Sequence, residues 1–300
     1  MNRLTKKANK DRIFIILCLL PCTVALILYF AYPMLTVIFT AFAKWDYTTL
    51  VPQFTWGGAL DNFKYIFTKY PYFSEILKNS LAWSAIGIFL QIPFTVVLAL
   101  TLSKKLVGWK IARNTMVIPN IISGTAMSIM IIRLCDPQMG IANSLVRLFN
   151  PSFEGNVLLL EGYAFWSIVA SYFFFVGTTT LLLMGQIFAI PTEIYDAAKI
   201  DGASPLRIDF TITVPLVFGM IGTLTILAGT SGFVIYDNIK LMTEGGAGTM
   251  SLSYAIREIG IESASQNMGR ANALGLLQFL ILLLINGVVT IVFKPGTKRF

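Results

Sequence analysis

The chain has 300 residues, of which 56% are apolar types and only 13% are charged. That apolar excess is too large for a water-soluble domain, so lipid must be part of the solvent. The net charge is +8 and there is no histidine, which excludes Ser-His-Asp and Cys-His catalysis, histidine metal sites and histidine proton relays. The basic residues are not gathered into one stripe, so a nucleic-acid role is not expected. Cys18, Cys22 and Cys135 lie in or beside apolar runs and read as small buried hydrophobes.

In chain order, residues 1–12 form a basic tail with net charge +4. Six apolar runs follow, each near the ~20 residues that cross a bilayer. They cover roughly 13–42, 81–102, 115–134, 163–186, 210–235 and 273–293 within one membrane domain, 13–293. Pro33 is expected to bend the first, whose apolar run is too long for a cleaved signal peptide. The connection 103–114 carries Lys104, Lys105, Lys110 and Arg113 and no acid, and the tail 294–300 carries Lys294, Lys298 and Arg299. Six spans put both termini on one side, and these basic segments make that side cytoplasmic. The loops on the other side are long enough to fold into caps. The fold class is therefore all-α integral membrane, with six transmembrane helices. No phosphate-binding G-x-x-x-x-G-K-[ST] run occurs, and no segment has room for an ATPase domain.

One cytoplasmic segment departs from the basic rule. Residues 186–209 carry Glu193, Asp196, Asp201 and Asp209 against Lys199 and Arg207. Thr192 is the expected N-cap of a short helix near 193–201, with Glu193 favoured in its first turn by the helix dipole. Gly202 is the expected left-handed stop. Ser204-Pro205 then starts a second short helix leading into the fifth span. Ile194, Ala197, Ala198 and Asp201 share one face at i, i+3, i+4 and i+7, and paired alanines allow a partner to approach closely. A helix lying on lipid usually shows Lys or Arg on its polar face. This one shows acids, which suits a protein partner.

Asp196-Ala197-Ala198, then three residues, Gly202, nine residues, Ile212, one residue and Val214-Pro215 resembles the EAA-x3-G-x9-I-x-L-P signature. That signature belongs to the permease subunits of binding-protein-dependent ABC importers. Asp196 for Glu and Val214 for Leu are conservative departures. The run Ile190-Pro191 through Ile200-Asp201-Gly202-Ala203 is similar to the carbohydrate-type branch. So are Leu60-Asp61-Asn62-Phe63, Asp136-Pro137-x-x-Gly140-x-x-Asn143 and Thr243-x-Gly245-Gly246. Ala247 departs, since many relatives have proline there.

The resemblance implies the type I importer permease architecture, with 190–215 as the coupling segment between spans four and five. Glu193, Tyr195, Asp196, Ala197, Ala198, Asp201, Gly202 and Pro215 would be its ATPase-coupling residues. It implies two ATPase subunits at the cytoplasmic face, which hold the ATP and Mg while this chain binds no cofactor and does no covalent chemistry. It also implies a second, often different, permease subunit and an extracytoplasmic solute-binding protein, in a prokaryotic cytoplasmic membrane. The substrate would be a mono- or oligosaccharide, and the resemblance points to Ser171, Phe174, Phe175, Thr178, Ser231, Gly232, Ile235 and Asn238 as its pathway. Small residues in spans also serve helix packing, and Phe also faces lipid, so both uses stay open. The competing readings are a permease of this kind for another polar solute, an ion-coupled carrier and a membrane enzyme. The carrier would need a buried membrane acid, and none sits deep in a span.

Overall fold

The structure, a computed structural model, describes residues 2–293 apart from 50, 55–57, 152, 154, 175 and 265; of 2–12, 172 and 174 it describes the backbone alone. The expected tail 294–300 lies outside the described residues. Among the described residues there is no strand, only the isolated bridges Lys44–Gln53 and Asp46–Asn267. Five helices are long and apolar enough to cross a membrane: Ile13–Thr40, Phe73–Ser103, Tyr163–Phe188, Phe218–Met242 and Met268–Val292. A bent pair, Trp109–Ile121 and Gly124–Leu134, makes six. The fold is all-α and membrane-type.

The chain divides into two compact units: residues 1–70 with 256–277, and residues 71–255 with 278–300. In the first unit, helix Asn2–Leu26 starts within the expected basic tail and runs into the first span. Cys18 and Cys22 are exposed on it, against the expectation of burial, while Cys135 in the second unit is buried. Asn62 explains the Leu60–Phe63 motif: its side-chain amide donates to the carbonyls of Ala41 and Ala43, both at 2.9 Å. A Cβ on Gly269 would lie 2.5 Å from that same Ala43 oxygen, so the chain passes where only glycine fits.

The second unit holds spans two to five. One apolar cluster gathers Trp83, Met127, Ile131, Ile168, Ile235 and Ile239. Another gathers Ile92, Ala99, Leu183, Met184, Ile221 and Leu224. Span two begins at Phe73, earlier than the apolar run at 81, because its polar first turns have partners. The Asn79 amide donates to the carbonyls of Gly248 (2.8 Å) and Met250 (3.0 Å), and Ser80 Oγ accepts from Leu252 N–H at 3.0 Å.

Proline shapes three helices in the same way. Pro33, Pro93 and Pro215 lack the N–H that an α-helix needs. Just before each, the ladder slips by one residue into a π-turn: Ile27–Ala31, Gly87–Gln91 and Asp209–Thr213. In each case the residue before proline donates five residues back, as Ile92 N–H does to the Gly87 carbonyl. Span three breaks instead of slipping. Pro119 weakens the end of the first arm, and Ser123 caps the second by accepting from Ala126 N–H at 3.2 Å. The two arms meet at 101°, where one run, 115–134, is expected from hydropathy.

The Asp136–Asn143 motif is a tight knot after span three. Asp136 Oδ1 accepts from the N–H groups of Gln138 (2.9 Å) and Met139 (3.1 Å). These bonds hold its carboxyl below the usual carboxylate range. A Cβ on Gly140 would meet Asp136 backbone at 2.4 Å. Asn143, 1% exposed, donates to the Cys135 carbonyl at 2.6 Å and accepts from Val157 N–H at 3.1 Å. The turn after span five is left-handed at Glu244, Gly245, Ala247 and Gly248. Ala247 has φ +51°, which the pyrrolidine ring cannot reach. The departure from proline noted at this position therefore goes with a different backbone.

Candidate coupling helix and translocation cavity

The acidic segment folds as a helix, Thr192–Ile200, ended by a Schellman turn. Ala203 N–H donates to the Ala198 carbonyl at 2.9 Å and Gly202 N–H to the Lys199 carbonyl at 3.0 Å. Gly202 sits at φ +74°, the conformation an L side chain resists. The N-terminus differs from the expectation. Pro191 occupies the N-cap and Thr192 is already helical, so no side chain caps this end. Ser204 does cap the next helix, Pro205–Ile208, accepting from Arg207 N–H at 3.4 Å.

The alanine pair divides between two faces. Ala198 is buried within its own unit, whereas Glu193, Ile194, Asp196, Ala197 and Asp201 are exposed. The outward stripe is thus Glu193, Ala197 and Ile200, at i, i+4 and i+7. Ile200 is 87% exposed and was not singled out from the sequence; its signal was the same helical spacing, counted from Glu193. Asp196 pairs with Lys199 at 2.9 Å on the surface. Tyr195 points the other way and its hydroxyl accepts from Thr213 Oγ1 at 3.4 Å. Pro215 is exposed and sits just after the π-turn it causes.

Behind the helix lies a cavity of about 750 Å³, lined by Lys104, Phe188, Tyr195, Asp209 and Thr213 among others. Lys104 Nζ donates to Asp209 Oδ2 at 2.6 Å. Lys104 caps the C-terminal end of span two, where a cation also meets the helix dipole. Asp209 opens the π-turn that leads into span five, and its side chain is 13% exposed. The basic connection and the acidic segment are thus fastened to each other at one end of this unit.

A second cavity, of about 350 Å³, lies between spans two, four and five. It is lined by Gln91, Ser171, Thr179, Leu227, Ala228, Ser231, Val234, Ile235 and Asn238. Of the residues the resemblance pointed to, Ser171, Ser231, Ile235 and Asn238 line this one cavity. Thr178 does not: it is exposed away from the cavity and Thr179 lines it instead. Gly232 does not line it either. A Cβ there would stand 2.2 Å from Ser84 N, so Gly232 lets spans two and five touch. Phe175 and the side chain of Phe174 lie outside the described residues. Gln91 and Thr179 were missed, since a lone Gln in an apolar run carries no periodic signal.

The cavity holds no charged side chain. Asn238 donates to Ser171 Oγ at 3.0 Å, and Ser171 donates to the Ile168 carbonyl at 2.5 Å. Ser231 donates to the Ala228 carbonyl at 2.7 Å and Thr179 to the Val176 carbonyl at 2.9 Å. These hydroxyl protons are directed at backbone, and Thr179 Oγ1 also lies 3.1 Å from Thr95 Oγ1, so the hydroxyls of this mostly apolar cavity are largely engaged within the fold. A neutral solute suits such a lining.

No family model matches the chain. It is 27% identical over 295 residues to the probable ABC transporter permease protein YurN of Bacillus subtilis (strain 168), covering 97% of this chain and 99% of that one. It is 26% identical over 281 residues to the multiple sugar-binding transport system permease protein MsmF of Streptococcus mutans, covering 91% of each. Among solved structures it superposes on a chain of a bacterial ABC transporter involved in import of the acidic polysaccharide alginate. There the TM-score is 0.81 at 19% identity, over 99% of this chain and 100% of that one. A chain of the MetNI methionine ABC transporter matches with a TM-score of 0.54 at 15% identity over 77% of this chain. The resemblance to carbohydrate-type ABC importer permeases, first seen in the coupling segment, thus runs through nearly the whole chain in sequence and in fold.

Proposed function

We propose that this chain is the permease subunit of an ATP-driven importer that moves a sugar across a prokaryotic cytoplasmic membrane. The helix Thr192–Ile200 carries the reading. It presents Glu193, Ala197 and Ile200 outward along one stripe, and a small and an apolar residue at helical spacing suit a helix lying in a protein groove. Two ATPase subunits supply that groove and the energy. A second permease completes the pore, and an extracytoplasmic binding protein delivers the solute. The relatives named for sugar transport, and a cavity lined without charge, support a neutral sugar as the solute. The basic connection 103–114 shares an end with the coupling helix, which supports a cytoplasmic face there and both termini on it. An ion-coupled carrier is disfavoured: Asp209 is the buried acid among the described residues, and it is paired with Lys104 at a span end.

The test is reconstitution of the chain in proteoliposomes with the subunits that copurify with it and the binding protein. Sugar uptake should require ATP inside and binding protein outside. Ile200→Asp should lose the ATPase subunits on purification while the permease itself still inserts. Uptake driven by an ion gradient without ATP would overturn the proposal.

A further inference from the structure

Gln91 is 7% exposed and lines the cavity between spans two, four and five. Its side-chain carbonyl oxygen is buried and has no hydrogen-bond partner. A buried amide oxygen left this way costs free energy that nothing in the fold returns. The backbone around it is specialised as well. Gln91 is the last residue of the π-turn Gly87–Gln91, and π-turns inside helices are frequent at functional sites. One turn earlier, a Cβ on Gly87 would stand 2.6 Å from the Ala228 carbonyl, so span two is seated closely on span five.

We propose that Gln91 is a solute-binding and specificity-determining residue, its side-chain carbonyl accepting a hydrogen bond from a hydroxyl of the transported sugar. The inference rests on the importer reading above and adds a residue of span two to the residues of spans four and five. Ser171 and Thr179, which also line the cavity, direct their hydroxyl protons at backbone carbonyls, so neither offers Gln91 a proton. A hydroxyl of the solute supplies the donor that the Gln91 carbonyl lacks on the span-two wall. A site built to bond a hydroxyl discriminates strongly against the analogue without it, because the buried acceptor then stays unmatched.

The experiment uses the assembled importer in proteoliposomes and a panel of neutral mono-, di- and trisaccharides, with the best-transported sugar and its monodeoxy analogues as probes. Gln91→Leu keeps the bulk and removes the amide, and exposed Thr101→Val in the same span is the control. Expected for Gln91→Leu is a three- to tenfold fall in uptake. Binding-protein-stimulated ATP hydrolysis should be kept, and the melting temperature should be unchanged or raised because an unmatched polar group has gone. One monodeoxy analogue, discriminated against by the wild type, should lose that disadvantage in Gln91→Leu. Unchanged uptake, or unchanged discrimination among all the analogues, overturns the assignment. A fall in uptake accompanied by a lower melting temperature assigns Gln91 to packing and overturns it too. Failure of the wild type to take up any sugar with ATP would instead overturn the importer reading, and this inference with it.

Discussion

Replacing Gly232 with alanine tests whether that glycine serves packing or solute passage. The added Cβ would lie 2.2 Å from Ser84 N, 2.7 Å from Ser84 Cα and 2.7 Å from the Trp83 carbonyl carbon. All three are backbone atoms of span two, so no side-chain rotation relieves the overlap. Spans two and five must separate by roughly 1 Å to restore ordinary contact distances. Overpacking of this kind costs about 1–3 kcal/mol. The separation also strains the bond from Ser84 Oγ to the Gly229 carbonyl, now 2.7 Å, a type worth about 0.6 kcal/mol in membranes. The expected loss is therefore about 2–4 kcal/mol. Gly219→Ala is the matched control, because its Cβ would meet nothing within 4 Å. Thermal unfolding of purified protein in detergent, followed by circular dichroism, should place Gly232→Ala well below wild type and Gly219→Ala level with it or above. Uptake should fall in Gly232→Ala as well, since Ser231 and Ile235 beside it line the cavity. Equal melting of Gly232→Ala and wild type would refute the packing argument.

At the coupling turn, Gly202→Ala meets no atom within 4 Å but must hold φ +74°, which costs about 1–2 kcal/mol. ATP-driven uptake should drop, and Gly202→Asn should retain more of it because Asn tolerates this region. For the ion pair, Lys104→Met leaves the buried Asp209 carboxylate alone and should lower stability by about 1–3 kcal/mol. Adding Asp209→Asn to it should cost less than the two single changes summed, as measured by unfolding of all four proteins. In the turn after span five, Ala247→Gly should raise the melting temperature by relieving φ +51°, worth about 1 kcal/mol. Ala247→Pro should lower it by more.

The coupling segment was legible because its signals are local. Gly202 and Ser204-Pro205 each act on backbone within a few residues, and each does so in the fold. The six apolar runs were legible from composition, but their ends were not. Hydropathy stops at Leu81, while the helix continues back to Phe73 because Asn79 and Ser80 find partners in a loop about 170 residues away. The 101° break in span three was written in Pro119 and Ser123-Gly124, and an apolar window of some 20 residues averages over it. The faces of the coupling helix could not be read, since burial of Ala198 beside exposed Ala197 depends on how the helix lies against its own spans. Gly232 and Ser231 are alike as small residues in a sequence. Their separate uses, packing and cavity lining, follow from a rotation of about 100° per residue on one helix.

In the proposed importer, a push on Thr192–Ile200 would reach the cavity through contacts within this unit. Helix Thr192–Ile200 meets Thr213 through Tyr195, and Asp209 is fastened to Lys104. From Lys104, span two runs unbroken toward Gln91, some 20 Å away at 1.5 Å per residue. From Asp209, the chain passes through the π-turn and Val217 into the helix Phe218–Val234, whose far half lines the cavity. The ion pair therefore ties together the near ends of the two helices whose far parts both line the cavity. Glycine contacts at Gly87, Gly229 and Gly232 hold those walls together along the way. Packed helices move as rigid bodies and shift between discrete arrangements. In the proposed importer a displacement at Asp209 would carry spans two and five together, because the Lys104 tether and the glycine contacts join them.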